Sequence, residues 1–118
     1  MSLDCKKWVP IEIHEKMICR VFQSPSGSWD GDIKLFYDYI DAVRRKYNNR
    51  PIDTPKCSIY DCDLDAVKCS LVRLESPRCH ELGKLFSYFV PICDSHEYHS
   101  DMRKEDFIRP GTLAIPCL

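Results

Sequence analysis

The chain has 118 residues, eight cysteines and a formal net charge of −1. That length supports one ordinary domain or two very small ones around a single modest core, and no apolar run is long enough to cross a membrane as a helix. Residues 1–56 carry ten Lys/Arg against eight Asp/Glu, whereas residues 57–118 carry seven against ten, so the second half has no excess of cations with which to grip phosphates.

Residues 8–22 read as two short strands around a polar turn at His14 to Lys16. Ile11 and Ile13 flank Glu12, and Ile18, Arg20 and Phe22 alternate with Met17, Cys19 and Val21, the period of a half-buried β-hairpin. Pro10 removes an amide donor and places its strand at an edge. A loop with Pro25 and Gly27 leads into a helix expected from about Asp30 to Tyr47. Asp30 is a candidate cap, Asp32 suits the positive first turn, and Arg44, Arg45 and Lys46 suit the negative last turn. Ile33, Phe36, Tyr37, Ile40, Val43 and Tyr47 recur at helical spacing as one apolar stripe. That stripe needs a cover, which the rest of the chain, another protein or a second copy in a homodimer would supply. Asn48, Asn49 and the segment from Pro51 to Pro55 end the helix, so a boundary falls near residue 56. This divides the chain into a hairpin-helix segment, 1–56, and a second unit, 57–118, with one integrated domain as the alternative.

The second unit opens with Cys57 and Cys62, with four residues between them, and reaches Cys93 and His96, with two between them, after an interval of thirty. Thiolate and imidazole are the usual ligands of tetrahedral Zn²⁺, and closely spaced pairs lose little chain entropy when clamped. The four residues are therefore the candidate metal set. Cys69, Cys79, His80 and His99 are substitute ligands. The competing reading is a secreted effector domain held by disulfides. Against it, residues Met1 to Trp8 lack the apolar run of about 7–15 residues that marks a secretory signal, which points to the nucleus or cytoplasm. Asp61, Asp63 and Asp65 alternate as in a calcium loop but lack its glycine and its closing glutamate, and so read as solvated charge. Val67 to Leu74 alternates as a strand. Ser76-Pro77 is a helix-opening pair, predicting a helix from Pro77 to about Phe89 that Pro91 ends. The tail, Phe107 to Leu118, is too proline-rich for a helix and reads as an apolar strap over a core.

The paired cysteines, the strand, the proline-opened helix, the segment Ile92-Cys93-Asp94-Ser95-His96 and the late Leu113-Ala114-Ile115-Pro116 together resemble the THAP-type zinc finger. The resemblance covers residues 57–118. It implies a βαβ module binding one zinc through Cys57, Cys62, Cys93 and His96, with DNA as a common partner. The chain departs from that pattern in its short interval between inner cysteines, in having no tryptophan in the matched half, and in Glu97 where an aromatic would follow the histidine.

Enzymatic chemistry finds little support. Cys79 and His80 are adjacent and would diverge on a helix, and no histidine pair flanks a glutamate as a hydrolytic zinc site would require. The basic run Arg44, Arg45, Lys46 and Arg50, with Tyr47 and two asparagines inside it, is the stretch suited to phosphates and bases; its structural alternative is a solvated helix end. The expectation is an α+β protein in which a zinc-stabilised βα unit packs with an N-terminal hairpin and an amphipathic helix. Its expected role is to bind nucleic acid or a chromatin-associated protein, with an adaptor whose zinc is purely structural as the alternative.

Overall fold

The computed structural model describes residues 8–75, 86–94 and 106–117. In chain order these form β1 (Ile11–Ile13), β2 (Ile18–Gln23), α1 (Trp29–Lys46), β3 (Lys68–Glu75), β4 (Phe86–Ile92), β5 (Asp106–Phe107) and β6 (Thr112–Cys117). The strands make one six-stranded sheet in the order β1-β6-β4-β3-β2-β5, and every neighbouring pair is antiparallel.

β3 and β4 occupy the middle of the sheet, and each buries side chains on both faces. Cys69, Leu71 and Phe89 meet α1 in one core with Trp8, Leu35, Phe36, Tyr39, Ala42, Val43 and Ile115. Val72, Leu74, Val90 and Ile92 face a second core with Ile13, Cys19, Val21, Cys57, Ile59, Cys93, Ile108 and Ala114. The curled sheet wraps this second core, and the segment from Cys57 to Cys62 closes it: Ile59 pairs with Ile108, and the Tyr60 amide donates to the Phe107 carbonyl at 2.7 Å.

The α+β expectation is overturned, because the fold is mostly sheet with a single helix among the described residues. Two local readings account for the difference. The strands around residues 11–23 are present but do not form a hairpin: β1 pairs with β6, while β2 pairs with β3 and β5. Alternation sets which face a strand buries and leaves its partner open. The predicted helix from Pro77 to Phe89 fails at its C-terminal end, since residues 86–89 lie in β4; residues 77–85 lie outside the described residues. Phe86, Tyr88, Phe89 and Val90 favour a pleated strand. Pro91 is tolerated there because the ladder to β6 ends at Phe89, and Pro91 pairs only with Cys69 of β3. The strap is in fact β6, an interior strand between β1 and β4. Strands from both sides of residue 56 thus share the sheet.

The helix is where the sequence places it, with a different cap and a rotated stripe. Ser28 is the cap, accepting from the Gly31 amide at 3.0 Å. Asp32 is buried instead and accepts from the hydroxyls of Ser24 and Ser26, both at 2.6 Å, and from the Ser26 amide at 3.1 Å. The buried face is Leu35, Phe36, Tyr39, Ala42 and Val43, leaving Tyr37 and Tyr47 exposed. The Tyr39 hydroxyl explains part of the rotation, donating across the core to the Leu113 carbonyl at 2.7 Å. Asn48 and Asn49 end the helix at φ 58° and 60°, the left-handed region that asparagine tolerates.

Candidate metal centre

Two segments far apart in sequence bring three sulfurs together. Cys57 and Cys62 lie on a knuckle that turns back through Asp61, whose φ is 66°. The Cys57 amide donates to the Leu64 carbonyl at 2.9 Å and the Cys62 amide to the Ile59 carbonyl at 3.1 Å. Cys93 follows the last residue of β4. Ser58 ties the two segments, its amide and hydroxyl both donating to the Pro91 carbonyl, at 3.0 and 2.7 Å. As a result the Sγ atoms of Cys57, Cys62 and Cys93 all lie within 4.8 Å of one another, with Cys62 and Cys93 3.8 Å apart. Cys57 and Cys93 are buried and Cys62 is half-buried.

Burial is the main reason the Cys57 thiol is pushed up to about 12; backbone amides at Ile59 and Cys93 pull in the other direction, and the neighbouring Cys93 and Cys62 push it further up. The Cys57 thiolate is disfavoured in such surroundings without a cation. A divalent ion removes that obstacle by replacing the protons, and the cluster can hold one.

Of the expected ligands, then, the structure assembles Cys57, Cys62 and Cys93. His96 lies outside the described residues, as do the substitutes Cys79, His80 and His99. Cys69 does not join the cluster: it is buried in the core beneath α1, where desolvation, then the charges of Asp32 and Asp38, raise its thiol well above the ordinary value. Cys19, Cys57, Cys62, Cys69 and Cys93 are free thiols.

The expected nucleic-acid contacts are at the surface. Arg44, Arg45, Lys46 and Arg50 are exposed at and beyond the end of α1, with Tyr47 among them. Lys46 has a structural duty, donating to the Pro10 carbonyl at 3.1 Å. Of this group Tyr47 lines a cavity of about 360 Å³ between the helix end and the segment 109–113, together with Tyr39, Val43, Ile52 and Leu113 among others.

One participant has no sequence signal. Arg109 donates its amide to the Ser58 carbonyl at 2.7 Å and its guanidinium to the Cys62 carbonyl, gripping the knuckle from both ends. Its Nε is buried without a partner among the described residues. An arginine between an isoleucine and a proline, 47 positions from the residue it holds, carries no local mark of that role.

No family model, curated protein or solved structure matches this chain.

Proposed function

We propose that the cluster is a structural zinc site and that the chain is a non-catalytic binding module. The observation that carries this reading is the spacing of the sulfurs. A zinc–sulfur bond of about 2.3 Å makes the edge of a regular tetrahedron about 3.8 Å, and Cys62 and Cys93 stand 3.8 Å apart. His96, three positions beyond Cys93, supplies the fourth ligand and closes the site. A closed site with two of its three described thiols buried supports the fold and leaves no coordination position for a substrate.

The module's partner in this reading is nucleic acid. Arg44, Arg45 and Arg50 form an exposed basic group around the half-exposed Tyr47, which suits phosphates and an unstacked base. The alternative is a protein adaptor, favoured by the apolar lining of the cavity below Tyr47.

Native mass spectrometry of the reduced full chain tests the zinc reading. One zinc per chain is expected, and cobalt in its place should give the strong near-ultraviolet absorption of thiolate ligation, lost in Cys93→Ser. No bound metal would overturn the reading. For the partner, retention on a single-stranded DNA column should fall with salt and disappear in the double variant Arg44→Ala, Arg45→Ala. No retention at low salt favours the adaptor.

A further inference from the structure

At the other end of α1 lies a second polar hollow that the basic run does not reach. Its volume is about 270 Å³, and Ser24, Gly27, Ser28, Trp29, Asp32, Lys68 and Ser70 line it. It exists because β2 leaves the sheet early: the ladder between β2 and β3 ends with Gln23 opposite Leu71. The β3 edge at residues 68–70 therefore faces the loop that opens the helix rather than another strand.

Lys68 is only 7% exposed, and a lysine that deep is ordinarily paired. Its ammonium lies 4.3 Å from the centre of the Trp29 ring, but no hydrogen-bond acceptor or carboxylate among the described residues pairs with it. The helix N-terminus adds donors on the same side. The loop satisfies several of its own amides: Gly27 donates to Ser24, Ser28 to Ser26 and Gly31 to Ser28. The amides of Trp29 and Asp30, among the four that a helix start leaves unpaired, have no acceptor among the described residues. Trp29 itself is 47% exposed, an indole standing over a cation at the edge of the hollow.

We propose that this hollow binds one phosphodiester of a single-stranded nucleic acid, with Lys68 and the first amides of α1 on the phosphate and an adjacent base stacked on Trp29. The charges select the ligand. Asp32, its carboxylate held by Ser24 and Ser26, offsets much of the Lys68 charge, and the helix end contributes about half a positive charge. That balance accepts the single negative charge of a diester and disfavours the double charge of a terminal phosphate. Asp30, exposed in the same first turn, acts in the same direction. The site rests on the nucleic-acid reading above and extends it to a second contact at the opposite end of the helix.

The test is fluorescence anisotropy of the full zinc-loaded chain with a labelled oligothymidylate of eight nucleotides, repeated for Lys68→Met and for Trp29→Ala. Each change should weaken binding by about tenfold, the scale of one stacked base or one desolvated cation contact. Lys68→Arg should recover most of the loss. Trp29 is exposed, so Trp29→Ala tests the site even if Lys68→Met compromises folding. Unlabelled trithymidylate should compete, whereas inorganic phosphate at the same concentration should not. If both variants bind as the parent does while Arg44→Ala, Arg45→Ala loses binding, this site is overturned and the nucleic-acid reading stands. If the parent chain binds no oligonucleotide, both fall.

Discussion

Raising the pH of the metal-free, reduced protein from 9 to 11 should destabilise it strongly, because three thiols are buried as neutral groups. Burial, aided by Asp106 and Cys57, pushes the Cys19 thiol up to about 12. Burial likewise takes Cys57 to about 12 and Cys69 well above 9.0. The folded state holds these protons more tightly than the unfolded chain does. The stability they contribute is therefore intact below the ordinary value of 9.0 and is lost as the pH rises from there through the folded value. Each tenfold difference in proton affinity between the folded and unfolded chain is worth about 1.4 kcal/mol, so Cys19 and Cys57 each give up about 2 kcal/mol between pH 9 and pH 11, about 4 kcal/mol together, and Cys69 adds to the loss in the same direction. Set against a typical domain stability of about 5–15 kcal/mol, that loss is large enough to approach unfolding. Tyr39, whose phenol burial also raises, adds to the loss above about pH 10. Urea denaturation followed by far-UV dichroism at pH 8, 9.5 and 11 measures the slope, and Cys19→Ala should remove about 2 kcal/mol of the loss. Zinc should remove the part due to Cys57, since a coordinated thiolate has no proton to lose. A stability curve flat to pH 11 would refute the reasoning.

Two further outcomes test how the loops are held. Gly31→Ala should cost about 1–3 kcal/mol by overpacking, because an added Cβ would meet the Ser26 Cβ at 2.6 Å and the Ser28 hydroxyl at 2.8 Å; thermal denaturation reads the loss, and an unchanged midpoint would show that the loop yields freely. Arg109→Ala should cost about 1.5–3 kcal/mol, the scale of a hydrogen bond to a charged donor, and should weaken zinc in competition with a chelator, since the Cys62 carbonyl loses its anchor. Loss of stability with unchanged zinc affinity would separate Arg109 from the metal centre.

Local pattern was a good guide wherever an element's identity depends on its own residues. Asp30 to Tyr47 reads as a helix from periodicity and terminal charges, and the helix spans Trp29–Lys46. The alternation from Val67 to Leu74 reads as a strand, and β3 spans Lys68–Glu75. The same method failed from Phe86 onward, where a proline-opened helix was extended into a segment that the sheet claims as β4. It also misplaced the helix stripe, counting Tyr37 and Tyr47 as apolar although their hydroxyls suit them to the surface. Tyr39 is buried because the Leu113 carbonyl, brought near by β6, gives its hydroxyl an acceptor.

The chain's own text therefore determined which ligand types are present and that Cys57 and Cys62 form a closely spaced pair, and it left Cys69, Cys79, His80 and His99 open as substitutes. Paired spacing is a local property, and a closely spaced pair costs little entropy to bring to one ion. Tertiary structure alone decided that the sulfurs meet at the closing seam of a curled sheet, with Ser58 and Arg109 holding the knuckle. It alone placed Lys68 in a hollow with no acceptor for its ammonium among the described residues. Both outcomes depend on which strand lies beside which, and strand partners are chosen by the burial of faces assembled from the whole chain. A run such as Lys68-Cys69-Ser70 cannot announce that its neighbour will peel away and leave a lysine facing the start of a helix.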